Sequence, residues 1–204
     1  MNDDFFNHKP KQKRAIESTQ RILSAANKLF GLHGFNGTTI SMIASEAQVS
    51  VGTLYHIFSD KMAIAKTIAK EYRKDAILEY QKVPTDIQKP EELKKVIRAF
   101  IKAAATLRIN HSGYYAISRS RNPSIKNEIT SNVRESIVTL FLEKLSSAFP
   151  KTENMQKTQI IFDMITETVR HFLDIIPPNH KNYNAMIQEL ESMVIAYADA
   201  RLFD

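Results

Sequence analysis

Residues 38–61 read TTISMIASEAQVSVGTLYHIFSDK, and the order of apolar and hydroxyl side chains along them decides the fold. Ile40, Ile43, Ala44 and Ala47 recur at helical spacing, which predicts a short helix from about Ser41 to Ala47 with Thr39 as its cap. After Gln48 and Val49 comes Ser50, whose hydroxyl can take up a free amide of a following helix, while Val49 anchors the turn with an apolar side chain. The second helix buries Leu54 and Phe58 and turns Val51, Thr53, Tyr55 and His56 toward the outside. Two short helices joined in this way make a helix-turn-helix.

Such a second helix suits the major groove of duplex DNA, which is about 12 Å wide. Gly52 lets the helix start come close to the sugar-phosphate backbone, and the free amides there, with the helix dipole behind them, favour a phosphate oxygen. Ser50, Thr53 and Tyr55 add hydroxyl donors, His56 can reach a base edge or a phosphate, and Lys61 adds a charge beyond the second helix.

With the preceding RILSAANKLFGLHGFNGTTI, the stretch resembles the DNA-binding motif of the TetR family of bacterial transcriptional regulators over about residues 20 to 61. Many positions match in fixed order, among them Ile22, Ala26, Leu29, Phe30, Gly34, Phe35, Thr38, Ala44, Val49 and Phe58. The resemblance implies phosphate contacts from Thr39, Ser50, Gly52, Tyr55 and Lys61, and base contacts from Val51, Thr53 and His56. One departure has consequences. Ile57 follows His56, so two outer positions are apolar or weakly polar, and the second helix carries no arginine or asparagine for a bidentate base contact. Sequence preference then rests partly on thymine methyl groups and DNA shape.

The rest of the chain reads as helices. Its 204 residues include only 5 glycines, and the 7 prolines fall mostly between apolar-periodic segments, as at Pro84, Pro90, Pro123, Pro150 and Pro177-Pro178. The net charge is +6, and it is unevenly spread: between Lys9 and Phe58 stand six basic residues against two acidic ones. The absence of cysteine excludes disulfides and thiol chemistry and suits a reducing cytosol. No long apolar run or charged-then-apolar leader is found, so a soluble, cytoplasmic protein is expected.

In chain order, the basic run Lys11, Lys13 and Arg14 reads either as a solvated helix start or as an arm reaching phosphates or a minor groove. A scaffold helix runs from about Lys13 to His33, buries Ile22, Ala26, Leu29 and Phe30, and ends at Gly34. Ser59 and Asp60 cap a helix from Lys61 to about Tyr80 with Ile64, Ile68, Tyr72 and Ala76 on one side. Pro90-Glu91-Glu92 opens a helix to about Asn110, and a short helix follows from Ser112 to Ser120. Further helices are expected from Asn122 to about Phe149, from Thr152 to Ile176, and from Tyr183 to Leu202.

The last two helices are apolar around more than one face, which predicts burial against a second copy of the chain. The family resemblance implies the same homodimer interface. A small-molecule effector site is expected among the helices after residue 61. Phe100, Tyr114, Tyr115, Phe141 and Phe162 are candidate lining, with Phe172 beside them, and Arg119, Arg170, His171 or Asn110 are candidate polar handles. The six histidines lack metal-ligand spacing, and no nucleophile elbow, P-loop or dinucleotide fingerprint is present, so no metal, cofactor or catalytic site is expected.

These readings give an all-α protein of about nine helices, with a three-helix DNA-binding domain over residues 9–60 and a larger effector-binding and dimerisation domain over 61–204. The expected function is repression from an inverted-repeat operator in double-stranded DNA, relieved when an effector tilts the helix from 61 to 80. The alternative is an architectural or scaffolding DNA-binding protein whose second domain takes a protein partner, which an exposed apolar patch would favour over a closed cavity.

Overall fold

The first helix, α1 (Lys13–Gly37), owes its length to a run of good helix formers with one buried stripe, Ile22, Leu23, Ala25, Ala26, Leu29 and Phe30. It is interrupted where the sequence places its end. Gly34 takes φ 69° and ψ 173°, a region that only glycine occupies readily, so the regular helix stops and a single further turn reaches Gly37. This computed structural model describes residues 13–84, 90–120 and 155–202. The basic arm with Lys9 and Lys11, the loop from residue 85 to 89, the helix expected from Asn122 to Phe149 with Phe141, and the start expected at Thr152 lie outside the described residues.

Two short helices follow, α2 (Ile40–Glu46) and α3 (Val51–Ile57). Next come α4 (Lys61–Gln81), α5 (Pro90–Asn110) and α6 (Ser112–Ser118). After the undescribed segment come α7 (Met155–Ile175) and α8 (Tyr183–Leu202). The described residues are thus all-helical, as the punctuation by proline predicts. The Asp60 carboxylate accepts from the Ala63 amide at 2.7 Å and starts α4, whose Ile64, Ile68, Tyr72 and Ala76 are buried. No described helix is long and apolar enough to cross a membrane.

The chain divides into two compact units. One takes the described residues up to Lys74 and resumes at His111; the other takes those from Asp75 to Asn110 together with α7 and α8. Within the first unit α1 packs on α2, α2 on α3, and α6 lies against α1. That last contact is close because it is made by glycine. The Gly113 amide donates to the Asn27 side chain at 3.0 Å, so a residue of α1 caps the start of α6, whose own N-cap residue, His111, makes no side-chain cap bond. Beside it, Tyr72 stacks on Tyr114 with ring centroids 3.8 Å apart, and the edge of His111 meets the Tyr72 ring at 5.4 Å.

In the second unit α5, α7 and α8 pack pairwise. Leu93, Ile97, Ile101, Leu107, Ile161, Ile165, Val169, Leu190 and Val194 fill the interior, and the rings of Tyr80 and Phe100 stack at 5.6 Å. Arg108 donates to the Leu173 carbonyl at 3.2 Å and faces Asp174 at 3.9 Å, so a largely buried cation is both hydrogen-bonded and paired.

Candidate nucleic-acid interface

Three caps build the reading element. Thr39 stands in extended backbone before α2, and its hydroxyl accepts from the Met42 amide at 3.2 Å. Ser50 does the same for α3, accepting from the Thr53 amide at 3.0 Å, while its hydroxyl also pairs with that of Thr53 at 2.8 Å. Thr39 and Ser50 therefore have structural work at the helix starts in addition to the phosphate contacts the family resemblance implies. Between them, α2 ends in a Schellman turn: the Val49 amide reaches Ala44 O at 3.0 Å and the Gln48 amide reaches Ser45 O at 3.1 Å.

Gln48 sits at the left-handed position of that turn, with φ 55°. Glycine normally fills this position, because a Cβ there crowds the backbone at a cost of about 1 kcal/mol or more. The Arg21 guanidinium reaches the Gln48 carbonyl at 3.4 Å, a backbone contact that does not depend on the side chain. Replacing Gln48 by glycine is therefore expected to raise the unfolding free energy by about 1 kcal/mol, measured by urea denaturation. Unchanged or lower stability would show that the glutamine is not strained there.

Leu54 and Phe58 are fully buried, as expected. Ile57 is a correction. Counted among the outer positions of the second helix, it is 4% exposed, because Leu54, Ile57 and Phe58 fall three and four residues apart and form one face. The outward side consists of Val51, Gly52, Thr53, Tyr55 and His56, all exposed, so each residue named for base or phosphate contact on α3 stands on the accessible surface. These are small, hydroxylated or aromatic groups on a short rigid helix, which is what a groove reader without bidentate side chains would present.

Lys61 is placed differently from a free surface charge. Its Nζ donates to the carbonyls of Phe35 and Thr38, each at 2.7 Å, and lies 4.4 Å from the centroid of the Phe35 ring. Burial pulls its pKa below the usual lysine value. Sequence patterning carries no signal for this inward use, since it joins residues more than twenty positions apart.

The candidate effector residues divide between the two units. Tyr114 is buried and stacked on Tyr72, and Tyr115 bonds to the Tyr72 hydroxyl at 3.1 Å, so both tyrosines belong with α1 and α4 in the first unit. Arg119 is exposed at the end of α6. Phe100 and Phe162 are buried in the second unit, while Phe172 is half-buried and Asn110 and His171 are exposed. Arg170 pairs with Glu167 and Asp174 on its own helix. Phe141 lies outside the described residues. A groove of about 320 Å³ runs between α5 and α8, lined by Arg98, Lys102, Ile109, Asn184, Ile187 and Glu191 among others, and none of the residues singled out from the sequence lines it. Among the described residues, no group of three His, Asp or Glu side chains could hold a metal ion.

Comparison with known proteins agrees with this geometry. Residues 22–68 match the family described as bacterial regulatory proteins, tetR family. Over 85 residues the chain is 32% identical to the HTH-type transcriptional regulator SAB2452 of Staphylococcus aureus, covering 42% of this chain and 46% of that protein. Over 49 residues it is 51% identical to the HTH-type transcriptional regulator HbdR of Aromatoleum sp., covering 24% of this chain and 21% of that one. The chain thus spans less than half the length of these curated relatives. The fold likeness extends further. GusR of Salmonella enterica superposes with a TM-score of 0.67 at 18% identity, covering 96% of this chain and 100% of that one. PfmR, a TetR family regulator of Thermus thermophilus, superposes with a TM-score of 0.64 at 20% identity, covering 89% of this chain and 97% of that one. Residues 22–68, with their capped helix-turn-helix, thus carry the segment that defines bacterial regulatory proteins of the tetR family, on a fold like that of GusR and PfmR.

Proposed function

We propose that the protein is a cytoplasmic, dimeric transcriptional repressor that binds an inverted-repeat operator through α3 and leaves it when a small molecule binds the helical domain. The observation that carries this reading is the division of labour on α3. Leu54, Ile57 and Phe58 fix the helix in the core, while Val51, Thr53, Tyr55 and His56 are presented outward behind a Ser50 cap. Thr39, Ser50, Gly52 and Tyr55 are the proposed phosphate side of the interface, and Val51, Thr53 and His56 the base-reading side.

Dimerisation is proposed through α7 and α8. Ile160, Met164 and Ile175 on α7 and Met193 on α8 are each more than half exposed, which is apolar area that a second copy would cover. A two-fold dimer places two reading helices one or more DNA turns apart, hence the inverted repeat. The effector is proposed to act through α4, whose residues are shared between the two compact units at Lys74 and Asp75. For release it must bind the wrongly spaced conformation more tightly, since equal affinity for both shifts nothing. Phe100 and Phe162, both buried in the second unit, remain the residues proposed for its site.

The test is a fluorescence-anisotropy titration against DNA from upstream of the protein's own gene, beside a scrambled duplex, at two salt concentrations. Selective binding to the upstream DNA is expected, weakened about tenfold or more by Tyr55→Ala with the dimer intact. Tyr55 is exposed, so its truncation should move stability by only about 0.5 kcal/mol. Equal, weak affinity for both duplexes that collapses with salt would sink the reading, because only backbone attraction would then be present.

A further inference from the structure

The ammonium of Lys61 makes three contacts in the first unit, to two backbone carbonyls and one ring, and all of them are with the protein itself. Two of its three protons go to Phe35 O and Thr38 O at 2.7 Å, and its remaining side faces the Phe35 ring. The loop it grips leads directly to the reading element. Thr38 is fully buried, and its hydroxyl lies 2.8 Å from Gly34 O and 3.1 Å from Leu29 O. The next residue, Thr39, caps α2, which the Schellman turn joins to α3. Lys61, the first residue of α4, thus holds the segment between the Gly34 break and α2 in a single arrangement.

We propose that Lys61 is a positioning residue for operator recognition: it clamps the Phe35–Thr38 loop and so sets the placement of α2 and α3, and its ammonium does not bind a phosphate. This rests on the operator-binding reading above and changes the role that the family resemblance assigns to this lysine. The two roles make opposite demands on a substitute. A phosphate contact is served at least as well by arginine, which is permanently charged and forks onto phosphate oxygens. The clamp is not, because a planar guanidinium cannot place one compact ammonium between two carbonyls and a ring face.

The experiment measures affinities of the wild type, Lys61→Arg and Lys61→Met for operator and for scrambled duplex, at a temperature where circular dichroism finds all three folded. Loss of hydrogen bonds from a charged group predicts that both variants bind operator about tenfold or more weakly than the wild type. Binding to the scrambled duplex should be nearly unchanged in Lys61→Arg, which keeps the charge. Retention of wild-type operator affinity by Lys61→Arg, with Lys61→Met weakened alike on both duplexes, would overturn the proposal. A measurement on the unmodified chain covers the case in which a variant fails to fold. The Lys61 side-chain nitrogen resonance should keep its chemical shift when operator is added, whereas a phosphate contact would move it. A wild type that does not distinguish the two duplexes would count against the operator reading itself; slowed proton exchange at the Lys61 ammonium of the free protein, which its two carbonyl bonds require, separates that failure from failure of the clamp.

Discussion

Replacing Phe30 by alanine is expected to lower the unfolding free energy by about 3 to 5 kcal/mol. The reason is burial without slack. Phe30 is fully buried on α1, as are Ile43 on α2, Leu54 on α3 and Phe58 just after it, and its ring lies 5.5 Å from that of Phe35. Truncation would remove an aromatic side chain from a core in which α2 and α3 are short and individually marginal, so that both depend on packing for their existence. Since domain stabilities are commonly about 5 to 15 kcal/mol, such a loss leaves a protein that is partly unfolded or close to it. Urea denaturation followed by circular dichroism would measure it. A loss of about 1 kcal/mol would mean that neighbouring side chains collapse into the space. The loss should also reach DNA binding, because Phe35, the partner ring, is the one that Lys61 faces.

The reading element is legible in the sequence to within about one residue because its signals are local. Thr39, Ser50 and Asp60 each cap the helix that follows, Gly34 breaks α1 with a positive φ, and the buried stripe Ile22, Ala26, Leu29 and Phe30 follows helical spacing. Ile57 is open to the same reading, since Leu54, Ile57 and Phe58 make a three-and-four pattern, yet placing it by its neighbour His56 puts it on the wrong face. Contacts across long separations are not legible. Periodicity says which side of a helix is apolar and is silent on which partner covers it. Tyr114 and Tyr115 thus look like pocket lining in the sequence, whereas Tyr72 takes up both of them in the structure. The same limit applies to α7: Ile160, Met164, Ile165 and Val169 read as one apolar helix, and the structure divides them into two exposed and two buried residues. The inward Lys61 is the clearest case, because a basic residue at a helix start near DNA is most simply read as facing the phosphates.

Gly113→Ala is expected to destabilise the protein by about 3 kcal/mol, a large effect for the addition of one methyl group. Gly113 lies on α6 where that helix meets α1, and a Cβ placed there would come within 2.5 Å of Asn27 O and 2.8 Å of Asn27 Cα. Both are backbone atoms of a long helix, so neither can move aside as the end of a side chain could. The Asn27 Oδ1, 2.8 Å from the same point, is the acceptor that caps α6 through the Gly113 amide. The methyl would therefore push the two helices apart and stretch the bond that satisfies the start of α6 in one step. Just beside it, a Cβ at Gly31 would meet the Ser112 hydroxyl at 2.7 Å, a softer obstacle, because that hydroxyl belongs to a side chain. The contrast supplies the control. Gly31→Ala should cost clearly less than Gly113→Ala in urea denaturation, and adding Asn27→Ala should not rescue Gly113→Ala, since the clash is with backbone that the second substitution leaves in place. Rescue by Asn27→Ala would trace the cost to the side chain alone. Its absence would establish that α1 and α6 are held by backbone approach, and that their spacing tolerates no residue larger than glycine at position 113.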